Sequence, residues 1–360
     1  MRIGAKKFSP LAARAAFAVP LALACWAAAQ SYTVTFLDAP NFSTPAGMSA
    51  TGNVTGSNGI NVDHAFLYSN GSMRYLGTLG GDTSDGLGVN DAGQVVGFSY
   101  ITNDTAYHAF LYSNGTMQDI GTMGGTNSYA KGINNAGIVT GYSDLANGNQ
   151  HAFIYSNRTM QDIGTLGGNN SQGFGINDLG HVTGEAMNAQ GIEDTFIYSN
   201  GLMQDLGELG DRSSVGRSIN ASDEVTGTFV PGDGPPHAFL YANGMRIDLG
   251  GLGGAVSDGN GINDAGVVVG DAETESSGSH AFIYANGTMQ DLNSLIDPPP
   301  GLILTGATAI NDAGQIASAA EMNGAFYAVL LTPTPEPGAC AIALVAALGL
   351  LRRRPCCRRV

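Results

Sequence analysis

Short runs of apolar and β-branched residues recur along the chain, separated by glycine-rich turns. In the run AFLY at residues 109–112, alternate residues face opposite sides of a strand, and both sides are apolar. Asn-Gly and Asn-Asp-Ala-Gly sequences follow such runs. Both are hairpin signals, because glycine accepts the positive φ that tight turns require. The pattern predicts short antiparallel strands in sheets that are covered on both faces.

The chain repeats with a nearly constant period. The segment HAFLYSNG at residues 64–71 returns in later versions, the last of them degenerate, and the central phenylalanines are spaced by 44, 43, 43, 43, 43 and 44 residues. These phenylalanines are Phe66, Phe110, Phe153, Phe196, Phe239, Phe282 and Phe326. Each period contains four short strand patterns joined by tight turns, which is typical of a β-propeller blade. A stacked β-solenoid is the alternative architecture.

The ends of the repeat region indicate the number of blades. Six complete periods begin at residues 64, 108, 151, 194, 237 and 280. Residues 32–38 resemble the second strand of a period, and residues 325–331 resemble its first strand. We therefore predict an all-β fold, a seven-bladed β-propeller whose ring is closed by pairing of residues 325–331 with residues 32–37.

Charge divides the chain into two basic ends and an acidic body. The 360 residues include 15 Lys and Arg, 30 Asp and Glu, and 53 Gly. Residues 1–30 and 338–360 contain nine of the basic residues and no acid, so residues 31–337 carry a charge of −24. A body this acidic argues against nucleic acid as a partner, because phosphate binding needs clustered Lys and Arg.

The amino-terminal end has the order of a secretory signal peptide. Arg2, Lys6 and Lys7 precede an apolar stretch at residues 15–24, and the alanines at 27–29 form an A-x-A-like cleavage site. The apolar stretch is shorter than the roughly 20 residues of a membrane span, which favours a signal peptide at residues 1–29 over a transmembrane anchor. A lipoprotein site at Cys25 is a further alternative.

Residues 333–360 combine a helix breaker, an apolar stretch and a basic stop. The residues that define this order are Pro335, Glu336, Pro337, Arg352, Arg353 and Arg354. The tail closely resembles the PEP-CTERM sorting signal of exported Gram-negative proteins. The resemblance implies processing near Pro337 by an exosortase-type membrane enzyme and delivery to the cell surface or extracellular matrix, with only transient contact with the membrane. Whether the tail is cleaved or retained as an anchor is left open.

The repeats resemble the HAF repeats of exported bacterial proteins. The resemblance is carried by His-Ala-Phe, the Gln-Asp-Leu/Ile-Gly strand, Gly-Gly, and Gly-Ile-Asn with Asn-Asp-Ala-Gly, and it covers nearly all of residues 32–332. It implies an extracellular repeat protein and carries no defined biochemical activity. Together with the end signals it predicts a repeat domain at residues 30–332.

Polar residues that occur in nearly every copy are interpreted as structural. The repeated histidines are expected to bond a neighbouring turn or aspartate, since equivalent atoms of different blades lie too far apart for metal–ligand distances of about 2 Å. Asparagines at the hairpin starts fit Asx-turns. Asp91, Asp178, Asp264 and Asp312 follow these asparagines, and turn formation accounts for them, with Ca²⁺ binding as the alternative. No other metal or cofactor is expected.

The copy that begins at residue 194 departs most from the repeat. Around it lie paired carboxylates and an arginine, which suit a polar ligand such as a sugar. These candidate ligand-binding residues are Glu185, Glu193, Asp194, Glu208, Asp211 and Arg217. Sequence drift in a tolerant loop is the alternative interpretation.

These features predict an exported, non-catalytic repeat protein at the cell surface or in the extracellular matrix of a Gram-negative bacterium. It would act as a structural or binding module, with the export machinery, an exosortase-type enzyme, and extracellular polysaccharide or surface proteins as partners. The sequence has no nucleophile elbow, His-Glu-x-x-His or phosphate loop, and no catalytic residue is predicted. The alternatives are a secreted propeller enzyme acting on glycans, as a hydrolase or lyase, and a protein-interaction scaffold.

Overall fold

Seven four-stranded antiparallel sheets surround a central channel in the computed structural model, which describes residues 31–37, 43–59, 62–207, 211–276 and 278–334. This arrangement confirms the predicted seven-bladed β-propeller. The predicted signal peptide at residues 1–29 and the sorting residues 335–337 and 352–354 lie outside the described residues. Within the described part, no helix is long and apolar enough to cross a membrane.

The strands are numbered in chain order, and the blades I to VII by the order of their innermost strands. The first strand is β1 (Tyr32–Phe36). Blade I contains β2 (Thr44–Met48), β3 (Val54–Asn58), β4 (His64–Ser69) and β5 (Ser72–Tyr75). Blade II contains β6 (Gly80–Val89), β7 (Val95–Ile101), β8 (Tyr107–Ser113) and β9 (Thr116–Gly121). Blade III contains β10 (Gly124–Ile133), β11 (Val139–Leu145), β12 (Gln150–Ser156) and β13 (Thr159–Asp162).

The remaining blades have the same order of strands. Blade IV contains β14 (Gly167–Ile176), β15 (Val182–Asn188), β16 (Glu193–Ser199) and β17 (Leu202–Asp205). Blade V contains β18 (Asp211–Ile219), β19 (Val225–Pro231), β20 (His237–Ala242) and β21 (Met245–Asp248). Blade VI contains β22 (Gly253–Ile262), β23 (Val268–Thr274), β24 (Ser279–Ala285) and β25 (Thr288–Asp291). Blade VII contains β26 (Leu302–Ile310), β27 (Ile316–Met322) and β28 (Ala325–Pro333). Short 3₁₀ helices lie at Thr102–Asp104 and Leu292–Leu295.

The amino-terminal strand completes the last blade. β1 pairs antiparallel with β28, from Tyr32 opposite Pro333 to Phe36 opposite Val329, and the sheet has the order β1-β28-β27-β26. This confirms the predicted ring closure. Because the outermost strand of blade VII comes from the start of the chain, the two ends of the repeat region hold the ring shut.

The sequence period and the blade do not begin at the same strand. The HAF segment forms the third strand of a blade, as in β8, and the strand after it, β9, is the outermost. The next strand pattern of the same period, β10, is the innermost strand of the following blade. Each sequence period therefore spans two neighbouring blades and links them covalently.

The repeated phenylalanines fill the space between blades. Phe153, for example, lies fully buried opposite Gly141 in the neighbouring strand. Blade VII is an exception that corrects the sequence alignment: Phe326 is 40 % exposed, and Val329 takes the buried position, opposite Ser318. The physical reason is steric, because a glycine leaves room for a ring and Ser318 leaves room only for the smaller valine.

Candidate ligand-binding site at one end of the channel

The channel ends on one side in a ring of asparagine turns. Asn134 Oδ1 accepts hydrogen bonds from the backbone N–H groups of Ala136 and Ile138, which confirms the predicted Asx-turn. Its Nδ2 donates to the carbonyl oxygen of Asn177 in the next blade at 3.0 Å. The same bond from blade to blade is donated by Asn90, Asn134, Asn177, Asn220, Asn263 and Asn311, and by Asn53 in blade I. We call this set the asparagine ring.

The turn aspartates lie on the rim of the asparagine ring and join neighbouring turns. Asp178 Oδ1 accepts from the backbone N–H of Asn135 at 2.9 Å, and Asp312 Oδ1 accepts from that of Asp264 at 2.8 Å. Asp91 accepts in the same way from Thr51. These bonds support the turn interpretation. Among the described residues, no group of three or more His, Cys, Asp or Glu side chains is placed to hold a metal ion.

Four of the five repeated histidines bond an aspartate of the adjacent outer strand, as predicted, whereas the buried Nδ1 of His64 in blade I has no hydrogen-bond partner among the described residues. His108 Nδ1 lies 2.8 Å from Asp119 Oδ2. Equivalent pairs join His151 to Asp162, His237 to Asp248 and His280 to Asp291. In blade IV, Asp194 stands at the repeat position of this histidine, and Asp205 stands at the position of its aspartate partner. Burial and the charge of Asp205 raise the pKa of Asp194. Asp194 thus occupies a structural position of the repeat.

Of the six residues predicted as one polar site, the five that the structure describes do not form one cleft. Glu185 and Glu193 lie on one face of blade IV, and Asp194 lies on the other, because successive residues of a strand face opposite sides. Asp211 forms a bidentate ion pair with Arg246 of the outer strand β21, and both side chains are buried. The structure places Arg217 on the channel, within electrostatic reach of Glu185. Glu208 lies outside the described residues.

The end of the channel opposite the asparagine ring is lined by a residue that differs from blade to blade. In each innermost strand one residue is bulged out of the pairing register, as Lys131 is between Ala130 and Gly132. A β-bulge re-aims a side chain, here toward the channel. The bulged residues line a cavity of about 220 Å³ and are Ala46, Leu87, Lys131, Phe174, Arg217, Asn260 and Thr308. We call them the bulge ring.

Glycines beside the bulged residues let the innermost strands approach closely. A Cβ atom on Gly132 would lie 2.9 Å from the carbonyl oxygen of Phe174, and one on Gly175 would lie 3.0 Å from that of Arg217. The glycines of the repeated pattern Gly-x-Gly-Ile-Asn therefore allow neighbouring innermost strands to approach closely, whereas the residue at position x differs among the blades. Of the bulge ring, the sequence prediction includes only Arg217. The signal that reveals the others is a variable x between repeated residues.

A layer of aliphatic side chains separates the two ends of the channel. The cavity at the asparagine ring, about 210 Å³, and the cavity at the bulge ring share these lining residues, which are Met48, Val89, Ile133, Ile176, Ile219, Ile262 and Ile310. They follow the bulged residue by two positions. Each cavity is therefore a separate polar chamber on its own side of an apolar constriction.

Aromatic rings from blades II and III lie beside the bulge ring. Their centroids are 4.6 to 5.9 Å apart in a continuous series of contacts. This tyrosine patch consists of Phe98, Tyr100, Tyr107, Tyr129 and Tyr142. The ammonium group of Lys131 lies 5.8 and 5.9 Å from the ring centroids of Tyr129 and Tyr142, so the patch continues into the channel. Burial raises the pKa of Tyr142 to about 12.

Three carboxyl groups with raised pKa values lie near the bulge ring, on blades II, IV and VI. Burial, assisted by the charge of Glu193 and opposed by Arg217, raises the pKa of Glu185 to about 7. Burial also raises the pKa of Asp271, which accepts a hydrogen bond from Asn260 at 2.9 Å. On blade II, burial raises the pKa of Asp85 to about 6. Titratable groups perturbed in this way are typical of ligand-binding and catalytic sites.

Solved β-propellers resemble this structure, whereas no protein-family model and no curated protein matches the sequence. The propeller domain of the Trilobed protease from Pyrococcus furiosus, which has an open velcro topology, aligns with a TM-score of 0.55 and 8% identity over 81% of this chain and 95% of that one. The ring described here is instead closed by the pairing of β1 with β28.

Two further propeller-containing proteins align at similar identity. The acylaminoacyl peptidase of Pyrococcus horikoshii has a TM-score of 0.50 and 10% identity over 86% of this chain and 55% of its own length. TolB from Acinetobacter baumannii has a TM-score of 0.45 and 11% identity, over 85% of this chain and 63% of its own. This chain thus spans little more than half of the peptidase and under two thirds of TolB. The alignments with the Trilobed protease domain and with the peptidase support the propeller fold.

Proposed function

We propose that this chain is an exported, non-catalytic propeller that binds an extracellular polysaccharide at the bulge-ring end of its channel. The observation that carries the proposal is the tyrosine patch. Sugar rings have flat patches of C–H groups that pack on aromatic faces, while their hydroxyl groups need hydrogen-bonding partners nearby. The bulge-ring end of the channel, which we call the mouth, offers both, because Asn260, Asp258 and Asp271 lie on blade VI, across the ring from the patch.

Binding of a panel of neutral and acidic polysaccharides to the full chain tests this function. Replacing Tyr142 by Ala removes a ring that contacts Tyr129, and we expect an affinity loss of roughly tenfold, about 1.4 kcal/mol. The matched control is Tyr75→Ala, which removes an exposed ring on the outer strand β5. Absence of binding across the panel, or equal losses in both variants, would contradict the proposal. Saturable binding of a purified surface protein at the patch would indicate the scaffold alternative.

The location of the protein is a separate part of the proposal and rests on the two basic, apolar ends of the sequence. Export would expose the acidic body outside the cell, and processing near Pro337 would release it to the surface or matrix. Fractionation of cells that produce the full chain or a variant lacking residues 335–360 tests this. We expect loss of surface display in the variant; retention of both forms in the cytoplasm would contradict it.

A glycan-degrading enzyme is the second candidate function, favoured by Glu185. A carboxyl group with a pKa near 7 beside a second carboxyl group suits general acid catalysis of glycoside cleavage, and Glu193 supplies the neighbouring charge. Release of reducing ends or of unsaturated products from each polysaccharide that binds would show this activity. Its loss in Glu185→Gln, with binding retained, would establish the enzyme in place of the binding module.

A further inference from the structure

Positive charge is scarce in the body of this protein, and it is placed unevenly. Residues 31–337 contain six basic residues, which are Arg74, Lys131, Arg158, Arg212, Arg217 and Arg246. Within the described part of the chain, Lys131 and Arg217 are the only ones of the six that line the channel. They belong to blades III and V, and Phe174 of the intervening blade lies between them in the bulge ring.

Outside the channel, two of the other cations have partners within the fold. Arg246 forms its ion pair with Asp211 and also lies 4.1 Å from the ring centroid of Phe229. The guanidinium of Arg74 lies over the ring of Tyr112. These contacts account for both arginines as parts of the structure.

Lys131 is not neutralised in this way. Among the described residues no carboxylate lies within ion-pair distance of its ammonium group, whose contacts are the two tyrosine rings. Burial lowers the pKa of Lys131, the charge of Asp85 opposes that effect, and the positive charge of Arg217 adds to it. A half-buried cation that faces a second cation gains stability when an anion enters between them.

The carboxyl groups around the mouth already have donors from their own strands or neighbours. Asp258 accepts from the hydroxyl of Thr228 at 2.5 Å and pairs loosely with Arg217 at 3.7 Å. Asp271 accepts from Asn260 and from the hydroxyl of Ser279. Both carboxyl groups thus have donors of their own, and the side chain of Arg217 remains 45% exposed.

We propose that Lys131 and Arg217 form a subsite for a carboxylate of the ligand, so that the bound polysaccharide is one built from uronic acid units. This rests on the proposed polysaccharide-binding function and narrows it to a substrate class. The carboxylate lies between the two cations, and the sugar ring that bears it packs against Phe174 and the adjacent tyrosine patch. Charge and shape are then recognised by neighbouring parts of one mouth.

Calorimetric titration of the full chain with uronic acid oligomers and their methyl esters tests this subsite. An ester keeps the sugar and removes the charge, so the pair isolates the carboxylate. Oligomers of galacturonate, mannuronate and glucuronate cover the main stereochemical variants. We expect at least one acid to bind about tenfold or more tightly than its ester, because the ester lacks the negative charge that the two cations attract in a partly desolvated site.

Two channel variants and one control identify the residues responsible. Lys131→Met and Arg217→Gln should each weaken binding of the acid about five- to tenfold and leave binding of the ester unchanged. The control Arg158→Gln removes an exposed cation from the turn between β12 and β13 and should change neither affinity.

The outcomes separate this subsite from the general function. Equal affinities for acid and ester, or unchanged acid binding in both channel variants, would overturn the subsite while polysaccharide binding at the patch stands. Binding of neutral polysaccharides without binding of any acidic one would likewise overturn the subsite and leave polysaccharide binding at the patch in place. Binding of poly-glutamate, lost in Lys131→Met and without binding of any sugar, would overturn both proposals in favour of an acidic peptide ligand.

Discussion

The two ends of the channel are built from the same seven strands and differ in what varies among them. At the asparagine ring nearly every blade presents the same side chain, and each side chain is used in a bond to the next blade. At the bulge ring, three residues earlier along the same strands, the blades present seven different side chains. Uniform positions hold the ring together, and the unequal positions are available to bind a ligand. The comparison can be tested first through stability.

The largest effect is expected at the asparagine ring. Asn134→Ala removes one donated and two accepted hydrogen bonds at a buried position and leaves the carbonyl oxygen of Asn177 without that donor. We expect a loss of about 2–4 kcal/mol in the free energy of unfolding, measured by urea denaturation. The matched variant at the other end is Asn260→Ala, for which we expect about 1 kcal/mol. Equal losses would remove the distinction between the two ends.

Close packing of the inner strands gives the next prediction. In Gly132→Ala the added Cβ atom would lie 2.9 Å from the backbone oxygen of Phe174, which cannot move without shifting β14. We expect a loss of about 1–3 kcal/mol in the free energy of unfolding. Gly251→Ala is the control, since its nearest neighbour is 3.5 Å away and the residue is exposed, and we expect a change within about 0.5 kcal/mol. A tolerated Gly132→Ala would show that the inner strands can separate.

The acidic side of the mouth should make stability depend on pH. The pKa of Glu185 rises from its ordinary 4.5 to about 7 in the folded protein, so between these pH values the folded state holds a proton that the unfolded chain has lost. The contribution of Glu185 to stability therefore falls as pH rises from 4.5 to about 7 and does not change further above that range.

Replacing Glu185 by Gln should remove that part of the pH dependence. At pH 8 we expect the variant to be about 1–2 kcal/mol more stable relative to wild type than it is at pH 5, less than the full shift implies because solvent at the open mouth screens the charge. Urea denaturation of both proteins at the two pH values measures this. A difference between variant and wild type that is the same at pH 5 and pH 8 would show that Glu185 does not titrate in this range.

The smallest change in stability is expected at the bulge ring itself. Lys131→Met removes an ammonium group that is half-buried and repelled by Arg217, while the methionine keeps most of the side-chain volume. We expect the free energy of unfolding to stay the same or to rise by up to about 1 kcal/mol, measured by thermal and urea denaturation. A loss comparable to that of Asn134→Ala would make Lys131 a structural residue.

Much of the fold could be predicted because propeller blades are built from local hairpins. The period of the phenylalanines, the turns between them and the partial copies at the two ends were enough to predict seven blades and the pairing of β1 with β28. The degenerate last copy was not aligned correctly. Phe326 aligns with the repeated phenylalanines in the sequence, but the residue that occupies the buried position in the structure is Val329, which lies opposite Ser318.

The candidate site was harder to predict because its members are far apart in sequence. All four of Glu185, Arg217, Asp194 and Asp211 were predicted because they depart from the repeat. Glu185 and Arg217 lie near the channel. Asp194 instead replaces a repeated histidine, and Asp211 pairs with Arg246. Lys131 gave a weaker signal, as a variable residue between two repeated ones. The tyrosine patch had a signal too, since Phe98 and Tyr142 occupy one repeat position in consecutive blades.

The sequence by itself determined the strands, the turns, the number of blades and the means of closure, because each depends on residues near one another or on a period that can be counted. Tertiary structure decided where a blade begins, which residues face the channel and which of them meet. The reason is that a bulge displaces a single residue out of the alternating pattern, and the resulting side chain contacts blades that are one or two periods away. The packing of blades III, IV and V around the channel brings Lys131, Phe174 and Arg217 to one cavity.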